Sequence, residues 1–251
     1  MNLKHKMRGG SKVAGCFLRI VRNPAGILAA KNAGLDYVTY DCEHSNYNFE
    51  TLHDAFILAN AVGIAGIVRV PCGSRDYVSR ALDIGAAGIM VPLLNTKEDA
   101  EEFVRYAKYP PIGKRGFGGS GADTGYKRGA HAEVMREQNE KVLTIGQIET
   151  KVAVDNVDEI AAVPGLDVLL VGPNDLSIEL GFPGDLLNPV QLEAIAKVAA
   201  ACKKHGKYFG LHAKKDLLEK FAQDLTFVSS TTDTDLLTAG FTGIRELCDS
   251  L

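Results

Sequence analysis

The feature that most constrains this 251-residue chain is a regular alternation of short apolar runs with helical patterns from one end to the other. Runs at 14–20, 37–41, 65–70, 88–92, 143–149, 167–172, 207–212 and 226–229 read as strands. Several are nearly continuous (Gly66-Ile67-Val68-Arg69-Val70, Val168-Leu169-Leu170-Val171), as strands of a parallel sheet covered on both faces must be. The stretches between them carry helix start and stop signals. Thr96, with Asp99 three residues on, caps 97–107, where Ala100, Phe103, Val104 and Ala107 share a face. Asn188-Pro189 opens 189–205, whose stripe is Leu192, Ile195, Ala199 and Cys202, and Lys203, Lys204 and His205 precede a closing Gly206. Helical stretches at 27–32, 52–62, 77–84, 152–162, 217–222 and 236–239 fill the other crossovers. Eight β-then-α units in this length predict an α/β fold, a (β/α)8 TIM barrel occupying 1–251 as one domain. A doubly wound open sheet loses its main support, because no GxGxxG follows the first strand.

Composition removes several alternatives. Charge is nearly balanced, 28 Lys+Arg against 31 Asp+Glu, which leaves no general basic footprint for nucleic acid. No apolar run approaches the roughly 18 residues of a membrane span. Lys4, Lys6, Arg8 and Lys12 ahead of 13–18 loosely resemble a secretion signal, but Arg19 ends the apolar stretch too soon, and a first strand is expected there. The 5 cysteines are odd in number and lack CxxC spacing, which points to a reducing cytoplasm instead of a disulfide framework. One connection is anomalous: 109–140 is too long for a simple crossover and holds Gly113, Gly116, Gly118, Gly119, Gly121, Gly125 and Gly129. It reads as a glycine-rich insertion serving function or a subunit interface.

Barrels carry their chemistry at the carboxyl ends of the strands. Polar residues concentrate there: Asp41-Cys42-Glu43-His44 after strand two, Arg69 in strand three, Gln147 and Glu149 in strand five, Asn174 and Asp175 after strand six, and His212 in strand seven. Period-two alternation puts Gln147 and Glu149 on one side of their strand. Glu149 and Asp175, from adjacent strands, can converge on a hard, oxygen-preferring cation: magnesium, manganese or cobalt. Each acid alone is equally suited to a salt bridge, and Asp175 to a helix cap. His44 has the chemistry of a general base, and Arg69 that of an oxyanion partner or of a structural partner for Asp41 or Glu43. Lys151, Lys214 and Lys215 begin helices instead of standing inside strands, which disfavours Schiff-base chemistry. The segment Ser229–Asp233, read as a loop, lacks a glycine-rich phosphate cradle, so an unphosphorylated substrate is expected.

The chain resembles the HpcH/HpaI family of class II pyruvate aldolases, including 4-hydroxy-2-oxoheptanedioate and 2-dehydro-3-deoxyglucarate aldolases. The likeness runs over roughly 13–240. It is carried by Tyr40-Asp41-Cys42-Glu43-His44, Val68-Arg69-Val70-Pro71, Ala81-Leu82-Asp83-Ile84-Gly85-Ala86, Val91-Pro92 with Asn95-Thr96, Tyr109-Pro110-Pro111-Ile112-Gly113-Lys114-Arg115-Gly116, Gln147-Ile148-Glu149-Thr150 and Gly172-Pro173-Asn174-Asp175-Leu176-Ser177. The resemblance implies a barrel of the phosphoenolpyruvate/pyruvate-domain type, with Glu149 and Asp175 as metal ligands and His44 as base, backed by Asp83. It also implies that Arg69 stabilises an oxyanion, that Gln147 and the backbone of Asn174 and Asp175 contact pyruvate, and that the assembly is a homo-oligomer, a hexamer. The implied reaction is reversible cleavage of a 4-hydroxy-2-oxo acid to pyruvate and an aldehyde. A citryl-CoA-type lyase and a catalytically silent binding barrel are the alternatives. Asn174, often alanine in the family, the run Ser45-Asn46-Tyr47-Asn48 and the strand end Leu18-Arg19-Ile20-Val21-Arg22 depart from the pattern where the acceptor is selected.

Overall fold

The computed structural model describes residues 2–251. Eight parallel strands, β1 (Val13–Leu18), β2 (Tyr37–Asp41), β3 (Ala65–Arg69), β4 (Gly88–Val91), β5 (Leu143–Ile148), β6 (Val168–Val171), β7 (Tyr208–His212) and β8 (Phe227–Thr232), close into a barrel in sequence order. The expected (β/α)8 architecture is the observed one. Around it run α1 (Leu3–Arg8), α2 (Ala25–Asn32), α3 (Phe49–Val62), α4 (Arg75–Asp83), α5 (Lys97–Ala107) and α6 (His131–Lys141). The second half adds α7 (Lys151–Asp155), α8 (Val157–Ala162), α9 (Pro173–Glu179), α10 (Pro189–His205), α11 (Lys215–Lys220) and α12 (Asp233–Asp249). None is long and apolar enough to cross a membrane, among the described residues.

Side-chain alternation divides the apolar residues into two cores. Tyr37, Ile67, Met90, Ile145, Leu170 and Phe227 fill the barrel interior, while residues such as Val38, Val68, Ile89, Ile148 and Leu169 face the helices. Gly15 is required inside: a Cβ there would lie 2.4 Å from the Tyr37 ring. That space lets Tyr37 stack on Phe227 at 4.4 Å and donate its hydroxyl to the Val228 carbonyl at 2.7 Å.

Helix signals held where local chemistry decides. Thr96 and Asp99 form the capping box of α5, and Asn188, Pro189 and the left-handed Gly206 bound α10. Four expectations change. The stretch 152–162 is two helices broken at Asn156, whose side chain turns inward to donate to the Asn95 carbonyl at 3.0 Å. Residues 229–232 are strand, because β8 must follow β1 as far as the Phe17–Thr232 pair. The expected 236–239 helix runs from Asp233 to Asp249, and beyond Asp233 it is exposed throughout. The insertion is not structureless: a 3-10 turn at Ala122–Thr124 and α6 lie within it.

At the amino end, α1 closes the barrel with Leu3 and Met7. Beneath them Asp167 gathers two ammonium groups, Lys4 at 2.7 Å and Lys108 at 3.5 Å, and its Oδ2 also accepts from Thr144 N at 3.0 Å. Burial pulls the Lys108 ammonium down to about 7 against the attraction of Asp167. Burial raises the Asp167 carboxyl, and Lys108 and Lys4 overcome this and hold it below the ordinary range. Removing one partner of such a buried set strands the other charge. Asp167→Asn is therefore expected to cost about 3–5 kcal/mol in urea unfolding; a loss below about 1 kcal/mol, the scale of a surface pair, would contradict this.

Candidate active site

The inward series of six of the eight strands turns polar at the carboxyl end. Phe17 is followed by Arg19, Thr39 by Asp41, Ile67 by Arg69, Ile145 by Gln147, Gly210 by His212 and Phe227 by Ser229. Asp41, fully buried, is the hub. Its Oδ1 accepts from Arg69 Nε at 3.0 Å and from the backbone N–H of Glu43 and His44, each at 3.2 Å. Its Oδ2 accepts from Arg69 Nη2 at 2.7 Å and Arg19 Nε at 3.0 Å. Burial raises the Asp41 carboxyl, yet the Arg69 bonds outweigh it and hold the group ionised below the usual range. Arg69 Nη1 also reaches Glu43 Oε2 at 3.0 Å, and the guanidinium lies 4.8 Å over the Phe17 ring. Arg69 thus has the structural partners that its sequence position allowed, while its edge still lines the cleft.

Glu149 follows β5 and is 2% exposed. Its Oε1 accepts from the Leu93 N–H at 2.8 Å, and its Oε2 meets the Gln147 amide. Leu93 adopts φ 51°, a left-handed conformation costly for a side-chain-bearing residue, and so aims its N–H at the carboxylate. Gly172 makes room for this group: a Cβ there would sit 2.6 Å from Glu149 Oε2. Burial, then the charges of Asp175 and Glu43, push Glu149 up to about 7, against the Leu93 bond and Arg69. Asp175 stands exposed in the first turn of α9, beside Asn174. At this helix start the N–H groups of Asn174 and Asp175 lack intrahelical partners.

Two carboxylates, one buried and destabilised as an anion, fit an oxygen-preferring cation. Gln147 Oε1, buried without a hydrogen-bond partner in the same cleft, is a further unmet polar group. No three His, Cys, Asp or Glu side chains form a metal cage among the described residues, so water and substrate oxygens would complete the shell.

The cleft bordered by Arg19, His44, Gln147, Asn174, Asp175 and His212 has a volume of about 80 Å³. It collects every predicted site residue except Glu149, packed directly behind Gln147, and Asp83. His44 is exposed, with Nε2 3.6 Å from Glu43 Oε2. Glu43, not Asp83, is its acidic neighbour in this chain. The expectation that Asp83 backs His44 fails within one chain because α4 carries Asp83 down to the amino end, where Arg115 Nη2 holds it at 2.7 Å. The glycine-rich segment lies there too, with Ala122 against Gly85 and Gln138 donating to the Asp123 carbonyl. Gly172 stands in a sequence motif with no role assigned to it, Leu93 falls between the motif pairs Val91-Pro92 and Asn95-Thr96, and Asp41 is foreseen only as a structural partner of Arg69. His212 packs edge-on against Phe17 at 4.8 Å, its Nδ1 2.8 Å from Ser229 Oγ, and burial, with Arg69 and Arg19 nearby, pushes it down to about 4.

The family model "HpcH/HpaI aldolase/citrate lyase" matches residues 14–238. The chain is 34% identical over 221 residues to a 5-keto-4-deoxy-D-glucarate aldolase of Klebsiella pneumoniae, covering 87% of this chain and 85% of that protein. It is 37% identical over 216 residues to the 4-hydroxy-4-methyl-2-oxoglutarate aldolase cghB of Chaetomium globosum, covering 84% and 79%. The crystal structure of an HpcH/HpaI aldolase from Desulfitobacterium hafniense superposes with a TM-score of 0.94 at 36% identity, covering 98% of this chain and 96% of that one. The chain belongs to the HpcH/HpaI aldolase/citrate lyase family. Within it, this is a carbon–carbon lyase.

Two outcomes follow from the site's construction. Gly172→Ala is expected to displace the Glu149 carboxylate and weaken manganese binding by about tenfold or more, as loss of a ligand's supporting shell does. Gly118→Ala, with open space around its Cβ, is the control, and equal manganese affinities in a calorimetric titration would refute the cradle. His212, depressed below its ordinary 6.5, contributes stability that is present above pH 6.5 and lost as pH falls from 6.5 towards 4. Unfolding free energy should fall by roughly 2–3 kcal/mol more in the native protein than in His212→Asn across that window. Parallel pH profiles would contradict it.

Proposed function

We propose that this chain is a divalent-metal-dependent aldolase that reversibly cleaves a 4-hydroxy-2-oxo acid to pyruvate and an aldehyde. The observation that carries the reading is the buried Glu149 carboxylate, pushed up by burial and by the charge of Asp175 and packed behind Gln147, which lines the cleft together with Asp175. Held by Glu149 and Asp175, magnesium, manganese or cobalt would supply electrophilic stabilisation of negative charge at the 2-oxo oxygen. The chain's own groups do the rest. Gln147 and the free N–H groups of Asn174 and Asp175 orient the 2-oxo acid end. Arg69, fixed by Asp41 and Glu43, presents positive charge where the 2-oxo oxygen gains electrons as the C3–C4 bond breaks. His44, exposed at the mouth, accepts the C4 hydroxyl proton, directly or through water, and returns it in the synthetic direction.

A citryl-CoA-type lyase would share the metal-binding carboxylates, and activity on a free 4-hydroxy-2-oxo acid separates the two readings. We also propose a homo-oligomer, a hexamer on the resemblance. Leu237, Phe241 and Ile244 stand exposed along α12, an apolar stripe without a partner in its own chain, and any Asp83–His44 partnership requires a second copy. The free cysteines support a cytoplasmic setting.

Chelation tests the reading. It should abolish pyruvate release from a 4-hydroxy-2-oxo acid, with magnesium, manganese or cobalt restoring it. Glu149→Gln and Asp175→Asn should lose metal affinity and activity together, and borohydride with pyruvate should leave no covalent mark. Full activity after thorough chelation, or a trapped lysine adduct, would overturn it.

A further inference from the structure

We propose that Arg19 selects the carbonyl acceptor, by holding a carboxylate that the acceptor carries next to its reacting carbon. The proposal rests on the aldolase reading above and names which acceptors that site takes.

Arg19 extends the inward series of β1 to the barrel mouth and lines the cleft with Arg69 and His212. Its place is fixed from below. The buried Asp233 carboxylate accepts three consecutive backbone N–H groups, Arg19 at 2.9 Å, Ile20 at 3.0 Å and Val21 at 2.8 Å. Nε is then tied to Asp41 at 3.0 Å. A guanidinium has five N–H donors in a planar fork matched to a carboxylate. Arg69 has Nε, Nη1 and Nη2 all engaged by Asp41 and Glu43. Arg19 commits only Nε, its Nη groups have no protein partner among the described residues, and the side chain is 40% exposed. The open fork at this mouth is therefore Arg19's.

Topology sets which end of a substrate it meets. β1 lies between β8 and β2, while Glu149 and Asp175 follow β5 and β6 on the far side of the closed barrel. A 2-oxo acid held at those carboxylates points its other end across the cleft towards β1. The cleft is small, so the group that reaches Arg19 is close to the scissile bond. The acceptor that fits is a short 2-oxo compound bearing its own carboxylate, and the corresponding aldol has carboxylates at both ends. In cleavage the C4 hydroxyl proton passes to His44 or its water, the C3–C4 electron pair passes to the pyruvate half, whose C3 then takes up a proton from water, and C4 becomes the carbonyl of the acid that stays against Arg19.

Glyoxylate and acetaldehyde differ in this one group and separate a reading role from a structural one. With pyruvate as donor and manganese supplied, the native protein should favour glyoxylate. Arg19→Ala should lower kcat/KM for glyoxylate by about 10- to 100-fold, the scale of a lost charge-assisted hydrogen bond, mainly through KM. Acetaldehyde turnover should fall far less in the same variant, so that the glyoxylate-to-acetaldehyde ratio of kcat/KM drops by about tenfold or more, and Arg19→Lys should be intermediate. Equal loss for both acceptors, or loss for neither, would overturn the proposal. A binding measurement keeps it distinct from the aldolase reading. 2-Oxoglutarate should bind more tightly than 2-oxopentanoate, and Arg19→Ala should erase that preference. Should pyruvate add to neither acceptor while the binding preference follows Arg19, the aldolase reading falls and the carboxylate site stands; no such preference in the native protein removes the site.

Discussion

One carboxylate organises the carboxyl end of this barrel. Asp41 accepts from two arginines and two backbone N–H groups while fully buried, so the ends of β1, β2 and β3 are positioned against it. Its bonds to Arg69 and Arg19 join β3 and the end of β1 across β2, and its backbone bonds shape the turn that presents Glu43 and His44. A buried charge with so many donors is a rigid feature, because losing any partner would leave an unsatisfied group in a low-dielectric layer. That rigidity is what a catalytic constellation needs from its support.

The two ends of the barrel solve different problems. At the amino end, Asp167 with Lys4 and Lys108 forms a paired set under α1, and Arg115 engages both Asp83 and Asp123 through Nη2 while its Nε and Nη1 stay buried without partners. At the carboxyl end the balance is left incomplete: Glu149 is buried with Asp175 and Glu43 near it, Gln147 Oε1 lacks a partner, and the Arg19 fork is open. Charge paired within the fold stabilises it, whereas unmet donors and acceptors grouped in a cleft are available to a ligand. The strained Leu93 backbone and the absent Cβ of Gly172 belong to the same end, as local strain at functional sites often does.

Much of this was legible in the sequence because period-two patterning and helix caps are local. The strands, the caps at Thr96 and Asn188, and the polar residues closing most strands all follow from short windows. The long reach of α12 was harder to see: its apolar residues stay largely exposed in their own chain, so no core stripe marked them. Asp83 shows the limit most clearly. A motif gives a residue's company in sequence, but the direction of α4 decides which end of the barrel receives it. Arg69 illustrates the opposite case, since the structural partners and the cleft position foreseen for it are both present. Gly172 sat in plain view in a motif, yet its role depends on where the Glu149 side chain returns in space.

The central claim is that Glu149 and Asp175 jointly hold the catalytic cation. Anomalous difference density from crystals soaked in manganese tests it most directly. One strong peak should lie between the Glu149 and Asp175 carboxylates and be lost in Glu149→Gln. A peak held elsewhere in the barrel, or none at a manganese concentration that supports turnover, would contradict it.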